Sequence, residues 1–305
     1  MNEIFDKLII KILITSFILL ILFSYRYIQR LILNNSKSFT LKSIFPQKNT
    51  PHAIHIASRI LGLAIILGDF SFFLSDGIFM ALFDFFIYSF SLIILYGLSI
   101  YVFESVALYN FSFEDEIYKR KNLSFSIITF GLSISAAFIL KKSFYIAQGS
   151  IINLFFLWLF TTVLFGFALK TFQIITQKNL NQIILQKNNF DSITHLGFCW
   201  SWTLLINSAL DIEINNYTRF MTFSIIQIVL SIIIFPIFHF GIGRIFGIKK
   251  SLISKNIASS NSKINLPSVN EDQSGINDAL IFLSAAYFTS MITGQVHFGS
   301  FYPPL

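Results

Sequence analysis

Asp84, Arg59 and Glu104 stand inside long apolar runs, where an ionisable side chain is costly and marks a site by default. Asp84 sits about 10 Å along its run, and Asp69, Asp76, Asp211 and Glu213 fall toward the same outer side. Five acids on one side read either as a cation-attracting mouth or as hydrated residues near span ends. Arg59 and Glu104 lie near corresponding ends of neighbouring antiparallel runs, which suits a structural ion pair or a transport gate. His195 and Cys199 share a helix face at i, i+4, but two ligands do not make a metal centre, and no metal or cofactor is expected. The single cysteine also excludes a disulfide framework. His239 follows Pro236, and Gly243 and Gly247 have the small-xxx-small spacing that lets membrane helices approach closely. No H-E-x-x-H, G-x-S-x-G or P-loop pattern is present, so a non-enzymatic protein is expected.

The elements that must position these residues are membrane spans. The chain has 305 residues, of which 54% are hydrophobic and 12% charged, with a mean hydropathy of +0.70. A soluble domain is about a quarter charged, so this composition excludes an ordinary soluble enzyme and a disordered chain alike. An all-α integral membrane fold follows, with spans expected at Ile9–Tyr25, Ala53–Leu74, Ile78–Leu108, Leu123–Leu140, Ile151–Ile175, Ile193–Ile214, Met221–Phe246 and Asp278–Gln295. That makes eight. The first span has no small-residue cleavage site and is followed by Arg26 and Arg30, so it is expected to stay attached as an anchor.

Charge sets the expected orientation. Of 22 Lys and Arg, only Lys7, Lys11, Lys141, Lys142 and Arg219 fall on the side that also holds both termini. The positive-inside rule therefore places the termini outside and the links between spans 1–2, 3–4, 5–6 and 7–8 in the cytoplasm. The net charge of +7 is read as topological, with no nucleic-acid partner expected. The expected partners are the bilayer, its anionic lipids and an envelope protein.

A local pattern recurs where the even-numbered spans begin. Lys48-Asn49, Lys121-Asn122 and Lys187-Asn188 each open an apolar run, and Gly275-Ile276-Asn277 is a weaker copy. Asn49, Asn122, Asn188 and Asn277 are expected to be helix N-caps, a position for which Asn is among the best residues. The lysines beside these positive helix ends, with Lys249 and Lys250, are candidate contacts for anionic lipid. The recurrence implies four helix hairpins in two four-helix halves, 1–148 and 149–305, the second interrupted by a Ser- and Asn-rich flexible loop over 249–275.

The run Tyr109-Asn110-Phe111-Ser112-Phe113-Glu114-Asp115-Glu116-Ile117-Tyr118-Lys119-Arg120-Lys121-Asn122, followed by apolar Ser124–Leu140 with Gly131, resembles the bacterial inner-membrane family catalogued as domain of unknown function 350. His52–Gly68, with Gly62, matches the same pattern in part. The resemblance implies tandem hairpins in which a short acidic cytoplasmic link leads to an Asn that opens the second helix. It implies no reaction. A scaffold or partner-binding subunit of an envelope system is therefore the expected role, with an ion channel or secondary transporter as the alternative.

Overall fold

A computed structural model describes residues 8–9, 11–21, 23–24, 49–68, 77–147, 149–211, 217–245 and 271–295. Every element among them is helical. α1 covers Lys11–Ile21, α2 Thr50–Leu67, α3 Ile78–Ala107, α4 Leu123–Ala147 and α5 Ile151–Thr176. After these come the short α6, Leu180–Leu185, then α7, Asn189–Ala209, α8, Tyr217–Ile245, and α9, Glu271–Gln295. A π-helical segment, Glu114–Lys119, forms the link between α3 and α4.

Six helices are long and apolar enough to cross a membrane: α2, α3, α4, α5, α8 and the 275–294 part of α9. The chain is thus a multi-pass membrane protein by length and composition. α1 is apolar but short among the described residues. α7 has 21 residues and falls outside the six, because Asp191, Ser192, Thr194, His195, Ser201 and Thr203 dilute its apolar character. Most of these polar residues are buried against other helices, so α7 has no need of a lipid-compatible surface there.

The chain divides into two compact units, Met1–Trp158 and Leu159–Leu305. In the first, α2 packs most extensively on α4 and only lightly on α3. In the second, α7 packs most extensively on α9, with α8 against α9. Helices that carry the recurring motif at or near their start thus pair with each other more than with the helix before them. Both pairs run parallel. His55–Thr129 and Arg59–Ser133 contacts each span 74 residues, and the contacts Phe190–Gly275, Gly197–Ala279 and Ser208–Gly294 advance together along α7 and α9.

Two expectations are corrected. α9 begins at Glu271, so Asn277 lies inside a helix and caps nothing, and the last part of the expected 249–275 loop is helical. The physical reason is packing: Gly275 lets α9 approach so closely that a Cβ there would stand 2.6 Å from the Phe190 carbonyl oxygen. The remainder of that loop, with Lys249 and Lys250, lies outside the described residues, as do Lys48, Asp69, Asp76 and Glu213.

Candidate functional site: a buried polar seam between α2 and α4

The seam begins where α2 begins. Asn49 is extended (φ −141°, ψ 92°), and its Oδ1 accepts from the His52 N–H at 3.2 Å, satisfying one of the free donors of the first turn. Pro51 in that turn needs no N–H partner and presets the helical φ. The other half of the Asn49 amide is used elsewhere: Nδ2 donates to the Ile117 carbonyl at 2.8 Å, tying α2 to the π-helical link.

The link is held from its inner side. Glu116 is only 3% exposed, and its two carboxylate oxygens accept from Arg120 Nη1 at 2.6 Å and Asn122 Nδ2 at 2.7 Å. Asn122 Oδ1 in turn accepts from the Phe125 N–H at 3.4 Å, at the start of α4. Tyr118 lies over His52 with its hydroxyl 3.0 Å from Nε2. On the outer side Asp115 pairs with Lys119 at 2.6 Å and takes a hydrogen bond from the Ser112 hydroxyl. The bonds from Lys119 and Ser112 hold the Asp115 carboxyl below its usual range, and Asp115 raises Lys119.

Deeper along the pair the partners come from α4. The Thr129 hydroxyl donates to the Ser126 carbonyl at 3.1 Å, so its oxygen is left to accept from His55 Nδ1 at 3.3 Å. This assigns the Nδ1–H tautomer to His55 on the logic of the network. Ser133 likewise donates to the Thr129 carbonyl and accepts from Arg59 Nη1 at 2.8 Å. Arg59 Nη2 donates to Glu104 Oε1, so the guanidinium bridges α3 and α4. Above it Gly62 lets the Tyr96 ring of α3 lie on the α2 backbone, where any Cβ would collide with the phenol.

These residues recur with helical spacing. His52, His55, Arg59 and Gly62 share one face of α2, and Asn122, Ser126, Thr129 and Ser133 share one face of α4. That signal is in the sequence. The expected sites captured its two ends, Asn49 with Asn122 and Arg59 with Glu104, and missed His52, His55, Glu116, Tyr118, Thr129 and Ser133 between them.

Other expected sites disperse. Asp84 is exposed near the start of α3, some 20 residues and so about 30 Å along the helix from Glu104, and shares no site with the Arg59 pair. In the second unit Asn188 caps α7 through the Asp191 N–H at 3.2 Å, and Asp191 pairs with Lys178 at 2.5 Å. His195 and Cys199 approach at 3.6 Å, and the Phe172 ring stands edge-on to the His195 ring. Among the described residues no group of three or more His, Cys, Asp or Glu could hold a metal ion.

Lys121 and Lys187 are exposed, and both have left-handed backbones, with φ of 47° and 54°. After α6, Lys187 donates to the Ile184 carbonyl and Asn188 to the Ile183 carbonyl, the pattern of a Schellman stop in which glycine usually takes the left-handed place. After the π-helical link the stop is wider, with the Asn122 N–H reaching the Glu116 carbonyl. The Lys-Asn pair is therefore a compact device: Lys reverses the chain out of one helix and Asn caps the next.

Residues 4–144 match the family described as Domain of Unknown Function (DUF350), the family that the acidic link and its Asn resemble. The matched segment contains the whole seam. No curated protein and no solved structure matches the chain.

Proposed function

We propose that this chain, with a DUF350 segment as its N-terminal part, is a non-enzymatic scaffold or partner-binding subunit of an envelope system in the bacterial cytoplasmic membrane. In this reading it has eight spans in four hairpins, with α1 and α7 completing the set and both termini outside. The bias of Lys and Arg toward one set of links supports that orientation. The observation that carries the scaffold reading is how the seam spends its polar groups. Asn49, His55 and Arg59 each bond to another element of their own unit, which fixes helices against one another, while Glu116 and Asn122 close the link onto the start of α4. A conducting path would instead present such groups to a passing ion.

An ion channel or secondary transporter is the second reading. It is favoured by the Arg59–Glu104 pair, whose guanidinium is buried while its carboxylate side chain is 29% exposed, and by Asp84 near the other end of α3. Purified protein in liposomes separates the two. The scaffold reading expects ion flux no greater than that of empty vesicles. Reproducible flux that disappears on Asp84→Asn defeats it. On the cytoplasmic side of this topology, Lys121 and Lys187, with Lys48, Lys249 and Lys250, are the proposed contacts for anionic lipid.

A further inference from the structure

His52 has no exposed surface, and its ring is bonded on one side only. Nε2 faces the Tyr118 hydroxyl at 3.0 Å, whereas Nδ1 has no partner among the described residues. A neutral imidazole tolerates this arrangement as the Nε2–H tautomer, which donates to the phenol oxygen and leaves only the Nδ1 lone pair without a partner. An imidazolium cannot. It carries two N–H donors in a buried place with an acceptor facing one of them, and the unmet donor carries the full cost of desolvation.

The surroundings add to that cost. His52 is the third residue of α2, where the helix end is positive and a cation is disfavoured. Among the described residues, the titratable and charged groups of the buried seam it belongs to are His55 and Arg59 on α2, Glu116, Tyr118 and Arg120 on the link, and Glu104 on α3. α4 contributes the uncharged Asn122 and Thr129. The acids are already engaged: Glu116 by Arg120 and Asn122, Glu104 by Arg59. His55 is buried three residues further along, under the Phe113 ring at 4.5 Å.

We propose that His52 is a proton-operated latch that holds the acidic link, residues 111–122, against the start of α2 and releases it when protonated. The latched state binds fewer protons at His52 than the released state, so latching strengthens as pH rises and weakens as it falls. Release breaks the His52–Tyr118 bond and exposes both ring nitrogens to water, while the Asn49 Nδ2–Ile117 bond and the Phe113 ring on His55 still connect the link to the start of α2. The inference depends on these contacts alone and holds under either the scaffold or the transport reading.

The test uses the full chain in nanodiscs, where both faces meet one pH, with Cys199→Ser and a nitroxide on Lys119→Cys at the exposed side of the link. From about pH 8 to about pH 5, the range in which histidine changes charge, the immobilised component of the spectrum should be lost reversibly. In His52→Gln, which can meet the phenol but takes up no proton, it should persist at both ends. An acid-induced loss that His52→Gln leaves in place, or no loss by about pH 5, overturns the latch. If His52→Gln does not fold, Tyr118→Phe decides. It removes the group that His52 holds, so the mobile component should already be present at about pH 8, and a spectrum like that of the parent at both pH values overturns the proposal.

Discussion

Between α2 and α4 the contact is made by hydrogen bonds and one guanidinium, whereas between α7 and α9 it is made by missing side chains and aromatic rings. Gly197 sits so close to α9 that a Cβ would stand 2.5 Å from the Ala279 Cα, and Gly275 allows the same approach to Phe190. Phe198, Trp202, Phe235 and Phe282 then pack ring to ring around that contact. In lipid there is no hydrophobic drive between helices, so association must come from close packing or from polar bonds. The two parallel pairs use one source each. Polar bonds between membrane helices average about 0.6 kcal/mol, so the neutral contacts of the α2/α4 seam amount to only a few kcal/mol together. A charged group left without its partner can cost as much by itself.

Arg59→Met should therefore have the largest effect. It strips Glu104 of the guanidinium and leaves Ser133 only the Ser58 hydroxyl at 3.4 Å, and is expected to cost about 3 kcal/mol, the low end for breaking a buried pair, because the Glu104 side chain is 29% exposed. Adding Glu104→Leu should restore most of the loss, since removing both charges is often neutral. Unfolding in mixed micelles, followed on single and double variants, checks this. If the double variant is no more stable than Arg59→Met, the cost lies in lost packing of the arginine stem, and the contrast between a polar and a dry pair weakens.

Gly197→Ala is next, at about 2 kcal/mol, because one added methyl meets backbone atoms of Ala279 that no rotamer change can move aside. The loss should be confined to the second unit. Crosslinking between cysteines placed on α7 and α9 should fall in Gly197→Ala while an α2–α4 crosslink is unchanged. Equal loss of both crosslinks would show that the units do not fail separately.

The pairing itself was the part of the fold least legible in the sequence. Apolar runs ending in polar residues marked α3 and α5 almost to the residue, since lipid-facing helices must be apolar along their length. α9 starts seven residues before the expected span, because Glu271-Asp272-Gln273-Ser274 reads as loop and its helical continuation depends on Gly275 being seated on Phe190. Of the seam, the Asn caps were legible from a local rule and Arg59–Glu104 from charge in an apolar context. His52, His55, Thr129 and Ser133 showed helical spacing, but their meaning depends on α2 facing α4 rather than α3, and no local signal states that. Glu116 was visible only as part of an acidic link, because its burial is created by Arg120 and Asn122 folding back over it.

What the two regions share should give the smallest effect. Lys121 and Lys187 both hold the left-handed backbone, which costs an L residue about 1–2 kcal/mol, and both precede an Asn that caps the next helix. Glycine removes that strain but loses about 0.5–1 kcal/mol through its freer unfolded state. Lys121→Gly and Lys187→Gly should each stabilise by less than about 1 kcal/mol, and equally, because the backbone device is the same whatever lies between the helices below it. A lysine retained where glycine fits better points to its charge. Either substitution should lower the anionic fraction of lipid that co-purifies with the protein, and Lys121→Asn, which tolerates the same backbone without the charge, should lower it as far. Mass spectrometry of the purified protein reads that fraction. An unchanged lipid ratio in all three variants, with the stability gain present, would leave the lysines as strained chain reversals and remove their role at the lipid surface.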